Sequence, residues 1–241
     1  MTKRKASKRP VKEIFEKAKK GNREVLTIVE SFEILKHYGI PLANYEVAKT
    51  AEKAAKAAKK MGYPVALKAI SKRATHKTDI GGLVLNIDSE KIVRNAFKKI
   101  HNSLKKAKAD FGGVIVQKMV GSSIGGQEAQ EVMVGGKKDP QFGQTIAFGL
   151  GGVFVEVFED ITFRVVPITE KDANTMIKEI RGHKILEGYR DKKYDKAAIS
   201  NILLKVSKLL EENENIAELD INPIMVLAKG ALAVDARIVI E

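Results

Sequence analysis

The stretch Ala217–Glu241, AELDINPIMVLAKGALAVDARIVIE, constrains the fold more than any other part of the chain. Apolar and polar residues alternate from Glu218 to Asn222. A period of two therefore puts Glu218, Asp220 and Asn222 on one face of a strand, and Leu219 and Ile221 on the other, in a core. Ile224–Ala228 continues apolar, Lys229-Gly230 has the chemistry of a tight turn, and Ala231–Val239 runs back. Pairing Ala228 with Ala231 sets Asp235 opposite Ile224, on the face of Asn222 and about 7–8 Å from it on the diagonal. Asp220, Asn222 and Asp235 then present oxygens to one small volume. Hard oxygen donors without sulfur or imidazole suit Mg²⁺, which takes one or two carboxylates and completes its shell with water and nucleotide phosphate. A solvated hairpin face accounts for the same spacing, and periodicity alone leaves both readings open.

The rest of the chain reads as mixed α and β. Glu13 to Tyr38 has helical periodicity, broken near Gly21 and stopped at Gly39. Thr50 is placed to cap a helix Ala51–Met61 that Gly62 ends, and Ser89 to cap one running to about Ala107. Val65–Ile70, Leu83–Ile87 and Val114–Gln117 read as strands. Beyond them the texture changes. Glu131–Val134, Gln144–Phe148, Val153–Phe158 and Phe163–Ile168 are strand-like, and Lys171–Arg181 and Asp195–Glu212 helical. The expected division is a basic tail with an N-terminal helix over 1–22, a first subdomain over 23–113, and a second over 114–241 that holds the hairpin.

Three further features bear on chemistry. Lys68 lies inside the apolar run VALKAI, where a buried ammonium needs a partner. A phosphate is one such partner, and an edge position with the amine reaching water is the alternative. Gln117-Lys118-Met119-Val120 ends a strand at the seam, where backbone groups can face a base. His76 sits in SKRATHKTDIGG, residues 71–82, among Lys72, Arg73 and Lys77. These cations favour a neutral, nucleophilic imidazole and attract phosphate. Such a histidine can carry a phosphoryl group covalently, or be an ordinary surface residue.

Composition excludes several classes. With no cysteine there is no disulfide, thiolate catalysis or Cys-ligated zinc. No apolar run is long enough to span a membrane, and the basic N-terminus lacks an apolar signal core, so a cytoplasmic location is expected. A charged content of 30%, mostly Lys and Glu, with no Cys or Trp, suits a hot environment. The net charge of +13 allows a nucleic-acid partner, but aromatics are only 6% and none interleave with the lysine runs. Those lysines read as solvated helix faces.

The segments GYPVALKAIS with HKTDIGGL, VQKMV, KKDPQFGQTIAFGLGGVFVEVFEDITFRVVPIT, and ELDINPIMV with GALAVDARI occur in this order. Together they resemble the β subunits of ADP-forming acetyl-CoA (acyl-CoA) synthetases, relatives of succinyl-CoA synthetase, over residues 25–240. The resemblance implies an ATP-grasp fold with nucleotide between two lobes, ATP or ADP with Mg²⁺ as cofactors, and reversible conversion of acyl-CoA, ADP and phosphate to acid, CoA and ATP. It implies Lys68 at the phosphates, Gln117, Lys118, Met119 and Val120 as the adenine hinge, Glu131 as the nucleotide-site glutamate, and Asn222 and Asp235 as metal ligands with Asp220 beside them. His76 would receive a phosphoryl group from a histidine of an α subunit and carry it to ADP, on a loop freed by Gly81-Gly82. The chain would work only with that α subunit, which brings the CoA-binding and first phosphohistidine domains, in an αβ or α₂β₂ assembly. The stretch SSIGGQEAQE is longer than the family pattern, so Glu128 competes with Glu131 for the glutamate role. Ala129 and Asp191 stand where glycine is usual, and Lys72 where proline is usual. A succinyl-CoA synthetase-like β chain, an ATP-grasp regulatory module and a basic nucleic-acid-binding protein are the alternatives.

Overall fold

A computed structural model describes residues 11–72, 80–121, 129–152, 160–188 and 193–241. The described chain opens with α1 (Val11–Lys20) and α2 (Ile28–His37). Thr27 caps α2 in a reciprocal box with Glu30, whose carboxylate also takes two bonds from the Arg23 guanidinium at 2.8 and 2.9 Å. Gly39, at φ +69°, ends it, with the N–H groups of Gly39 and Ile40 turned back to the Lys36 and Leu35 carbonyls.

The first antiparallel sheet has the order β1-β4-β2-β3, with β1 at Tyr45–Ala48, β2 at Val65–Ala69, β3 at Leu83–Ile87 and β4 at Val114–Lys118. Two helices, α3 (Ala51–Met61) and α4 (Glu90–Lys106), cover one face. Thr50 caps α3 as its spacing predicts, whereas the Ser89 side chain makes no capping bond to α4. All five residues of β2 are buried. Val65, Leu67 and Ala69 pack under the helices, so Ala66 and Lys68 turn the other way. Across β4 the same alternation sends Ile115 and Gln117 to that second face, opposite Lys68 and Ala66 in register.

The second sheet has the order β10-β8-β5-β6-β7, with β9 paired to β8. Its strands are β5 (Gln130–Asp139), β6 (Gly143–Leu150), β7 (Ile161–Val165), β8 (Ile216–Val226), β9 (Ala231–Ala233) and β10 (Arg237–Ile240). Three helices follow β7: α5 (Glu170–Glu179), α6 (His183–Gly188) and α7 (Lys196–Glu211). The apolar side of α7 seats closely on the sheet. A Cβ at Gly136 would lie 2.6 Å from the Leu210 side chain, which only glycine avoids. The opposite face carries Glu131, Met133, Gly135 and Lys137 on β5 and Glu218, Asp220 and Asn222 on β8.

Sheet membership differs from the expected division at residue 113. Strand β4 completes the first sheet, and residues 11–40 pack into the second core. Backbone bonds fix the latter: Leu26 N–H to Ile238 O at 3.0 Å, Ile240 N–H to Glu24 O at 2.8 Å, and Ala43 N–H to Ala233 O at 3.0 Å. The apolar sides of α1 and α2 bury against the larger sheet, although the smaller one follows them in sequence.

The hairpin also differs in detail. The two strands expected around Pro223 form one, β8. Its pairing with β5 shifts register at that point, between Val132 and Val134, so proline's missing donor falls at a bulge. The return pairs Val226, not Ala228, with Ala231, around a four-residue loop closed by Leu227 N–H to Gly230 O at 3.0 Å. Asp235 therefore comes level with Asn222 rather than Ile224. A slip of two residues leaves Glu218, Asp220 and Asn222 on their expected face, while the bulge at Pro223 moves the core side from Leu219 and Ile221 to Ile224 and Val226. The expected strand Val153–Phe158 lies outside the described residues. Among the described residues no helix is long and apolar enough to cross a membrane.

Candidate functional site

The second face of the first sheet and the open face of the second meet at Lys68. This lysine is on an interior strand and only 5% exposed, so the edge-lysine reading fails. Its ammonium donates to the Val234 carbonyl and lies 3.6 Å from Asp235 Oδ2. Asp235 is itself oriented by the Ala236 N–H, 2.9 Å from Oδ1. The interruption between β9 and β10 turns the Val234 carbonyl and the Asp235 carboxylate toward the other lobe.

Asp220 behaves in the opposite way. Its Oδ1 is buried and finds no hydrogen-bond partner among the described residues. Burial first, then the neighbouring charges of Glu218 and Asp235, push its pKa up to about 6 against the pull of Arg237. Arg237 stands opposite Asp220 in register, yet its guanidinium bonds Glu218. Asn222 is half-buried one step along the same face. Asp220, Asn222 and Asp235 are thus brought together as the alternation requires. The orphaned carboxylate oxygen and the all-oxygen set fit a hard divalent cation. Among the described residues no three His, Asp or Glu side chains converge closely enough to hold an ion unaided. A cation here would draw its other donors from water and phosphate.

The remaining candidates divide. Gln117 is buried on the cleft face, and its Nε2 has no hydrogen-bond partner among the described residues. Lys118 points elsewhere: its ammonium ties the carbonyls of Gly62 and Tyr63, at 3.1 and 2.8 Å. The N–H groups of Lys118 and Met119 are bonded to Asn44 O and Pro64 O, at 2.9 and 3.2 Å, which anchors the strand end leading to half-buried Val120. Glu131 lies on the open face of β5, and its carboxylate crosses Gly152, where a Cβ would come within 2.7 Å of Oε2. His76 and Glu128 lie outside the described residues. Sequence reasoning missed Arg237, although it follows Asp235 at strand period on the same hairpin.

Two facing sheets with a buried lysine on one and an oxygen-lined strand on the other define an ATP-grasp architecture, and the model of the ATP-grasp domain matches residues 17–240. The β subunit of acetate–CoA ligase [ADP-forming] I from Pyrococcus furiosus is 44% identical over 232 residues, covering 95% of this chain and 97% of that one. A 4-hydroxybutyrate–CoA ligase [ADP-forming] from Nitrosopumilus maritimus is 40% identical over 95% of this chain, which spans 32% of its length. Among solved structures, acetyl-coenzyme A synthetase 1 of Ca. Korarchaeum cryptofilum superposes with a TM-score of 0.81 at 38% identity, over 96% of this chain and 100% of that one. That structure holds coenzyme A and Mg-AMPPCP, with a phosphohistidine segment pointing towards the nucleotide-binding site. The chain belongs to the ATP-grasp family and, within it, to the β subunits of ADP-forming acyl-CoA ligases.

Proposed function

We propose that the chain is the nucleotide-binding subunit of a ligase that converts acyl-CoA, ADP and phosphate to acid, CoA and ATP, and the reverse. The juxtaposition of Lys68 with Asp235 across the two lobes, beside Asp220 and Asn222, carries this reading. Nucleotide lies between the sheets. Lys68 holds its phosphates, as a buried ammonium with three donors can. Gln117 and the strand end through Lys118, Met119 and Val120 frame the base, and Glu131 faces the nucleotide from β5. Asn222 and Asp235 would hold Mg²⁺, with Asp220 next to them. The metal, when bound, neutralises phosphate charge, and the remaining catalysis is positioning.

His76 brings the phosphoryl group. The nitrogen–phosphorus bond breaks, a bond to the terminal oxygen of ADP forms, and the imidazole takes up a proton. The group comes from an α subunit that carries the CoA-binding and first phosphohistidine domains, in an α₂β₂ assembly. The Nitrosopumilus relative supports the presence of further domains beside this one, because about two thirds of its length lies beyond the matched part. The acid itself is selected on that partner.

The test is reconstitution. The chain is mixed with its α partner, acetyl-CoA, ADP, phosphate and Mg²⁺, and ATP is followed. Synthesis that needs both chains and Mg²⁺ supports the reading. ATP formation that proceeds without this chain overturns it.

A further inference from the structure

The histidine segment is launched from a rigid base, and one carboxylate outside the nucleotide site grips its first residues. Asp110, in the connection from α4 to β4, accepts a bond from the Ser71 hydroxyl at 2.9 Å. It also takes the Lys72 backbone N–H on both oxygens, at 3.0 and 2.9 Å. Those two residues come 38 and 39 positions earlier in sequence and immediately precede residues 73–79.

Asp110 is itself held on both sides. Before it, Lys108 at φ +52° follows the end of α4, and the Ala109 N–H returns to Leu104 O at 3.0 Å. After it, the Phe111 ring packs edge-on against Phe97 at 5.5 Å and on His101 at 4.8 Å. Next, Gly112 N–H donates to Ile70 O at 2.8 Å, and Ile70 N–H to Gly113 O at 2.9 Å. The far end of the segment is fixed too. Gly82 O accepts from Ala69 N–H at 2.7 Å, and Gly81, at φ +67°, passes so near the Ser103 hydroxyl that a Cβ would lie 3.0 Å from it. A carboxylate spending both oxygens on a backbone N–H and a hydroxyl fixes chain direction as well as position.

We infer that Asp110 is a positioning residue for phosphoryl transfer: it sets the point from which the His76-bearing segment leaves the first sheet. The inference rests on the carrier role of His76 given above. A misplacement of about 1 Å at a transfer centre costs on the order of a hundredfold in rate. Loss of the clamp should therefore slow transfer without weakening nucleotide binding.

The experiment uses the complex with the α partner. The chain is labelled from acetyl-CoA and labelled phosphate without ADP, then chased with ADP in a single turnover. Wild type, Asp110→Ala, Asp110→Asn, Ser71→Ala and His76→Ala are compared. The expected result is that Asp110→Ala slows both labelling and chase by about tenfold to a hundredfold, with the half-saturating ADP concentration unchanged within about twofold. Asp110→Asn, which keeps one acceptor oxygen, recovers much of the rate, and Ser71→Ala falls between. A wild-type chase rate in Asp110→Ala, with label absent only from His76→Ala, overturns the inference and leaves the carrier role standing. Equal losses in rate and in ADP affinity also overturn it, because they mark a merely structural residue. Absence of label from the wild-type chain removes both, since Asp110 then has no transfer to position.

Discussion

Lys68 in the first sheet and Asp220 in the second are both ionisable groups on interior strands, facing the same cleft. The lysine is satisfied inside the protein, by a carbonyl and a carboxylate borrowed from the other lobe. The aspartate is not: it has a buried oxygen without a partner among the described residues and an arginine whose guanidinium bonds Glu218. The difference reflects what each strand has across from it. Strand β2 meets the break between β9 and β10, where a free carbonyl is on offer. Strand β8 has further acids on the same face, and the one arginine beside Asp220, Arg237, is taken by Glu218. A cation that neutralised the acids would relieve Asp220 and compete with Lys68 for Asp235.

Removing Lys68 should break this contrast most severely. Lys68→Met removes the buried lysine proposed for the phosphates, and ADP affinity in the complex should fall about a hundredfold, or roughly 2.7 kcal/mol. Titration calorimetry checks this, and a change under threefold would remove Lys68 from the phosphate site. Next comes the metal side. Asn222→Ala should raise the Mg²⁺ concentration for half-maximal ATP synthesis by at least about tenfold, while acetyl-CoA saturation stays put. An unchanged Mg²⁺ curve would exclude Asn222 as a ligand.

Asp220 sharpens the comparison through pH. Its folded pKa, about 6, lies above the value of about 3.9 in an unfolded chain. The folded state therefore holds the proton more tightly, and stability without metal falls as pH rises from about 4 to about 6, then levels off. Asp220→Asn should flatten that fall and stabilise the chelator-treated protein at pH 7.5 by on the order of 1 kcal/mol, after discount for partial solvent screening. Denaturant unfolding at pH 5 and pH 7.5 reads both effects, and a destabilised variant at pH 7.5 would mean the carboxylate has a partner. The smallest effect belongs to an exposed cation. Arg94 bonds Glu90 at 2.8 Å and Glu52 at 3.0 Å on the outside of the first lobe. Arg94→Ala should move Tm by less than about 2 °C in a thermal scan. A larger drop would show that surface pairing holds α3 to α4.

Periodicity made the acidic face legible because a two-residue slip in register cannot turn a strand over. Glu218, Asp220 and Asn222 stand where alternation puts them, although the loop was misjudged and Pro223 proved to sit in a continuous strand. Lys68 was legible as a charge in an apolar run, but its partner was not, because Val234 and Asp235 lie 166 and 167 residues further on and no local rule links them. The Lys118 ammonium went to a turn beside its own sheet for the same kind of reason: a carbonyl pair at Gly62 and Tyr63 lay within reach. Lobe membership was the least legible feature. Residues 11–43 adjoin the first sheet in sequence yet pack with the second, where backbone bonds from Leu26, Ala43 and Ile240 tie them to the hairpin, and no local rule links segments so far apart.

That last arrangement has a consequence during synthesis. Strands β9 and β10, which receive residues 24–43, are translated about 200 codons after them. At 5–20 residues per second, α1 and α2 emerge about 10–40 s before the partners that bury their apolar sides. The first lobe, residues 45–118, can close on its own sheet and helices in that interval. The N-terminal helices must wait, exposed, for the end of the hairpin to leave the ribosome.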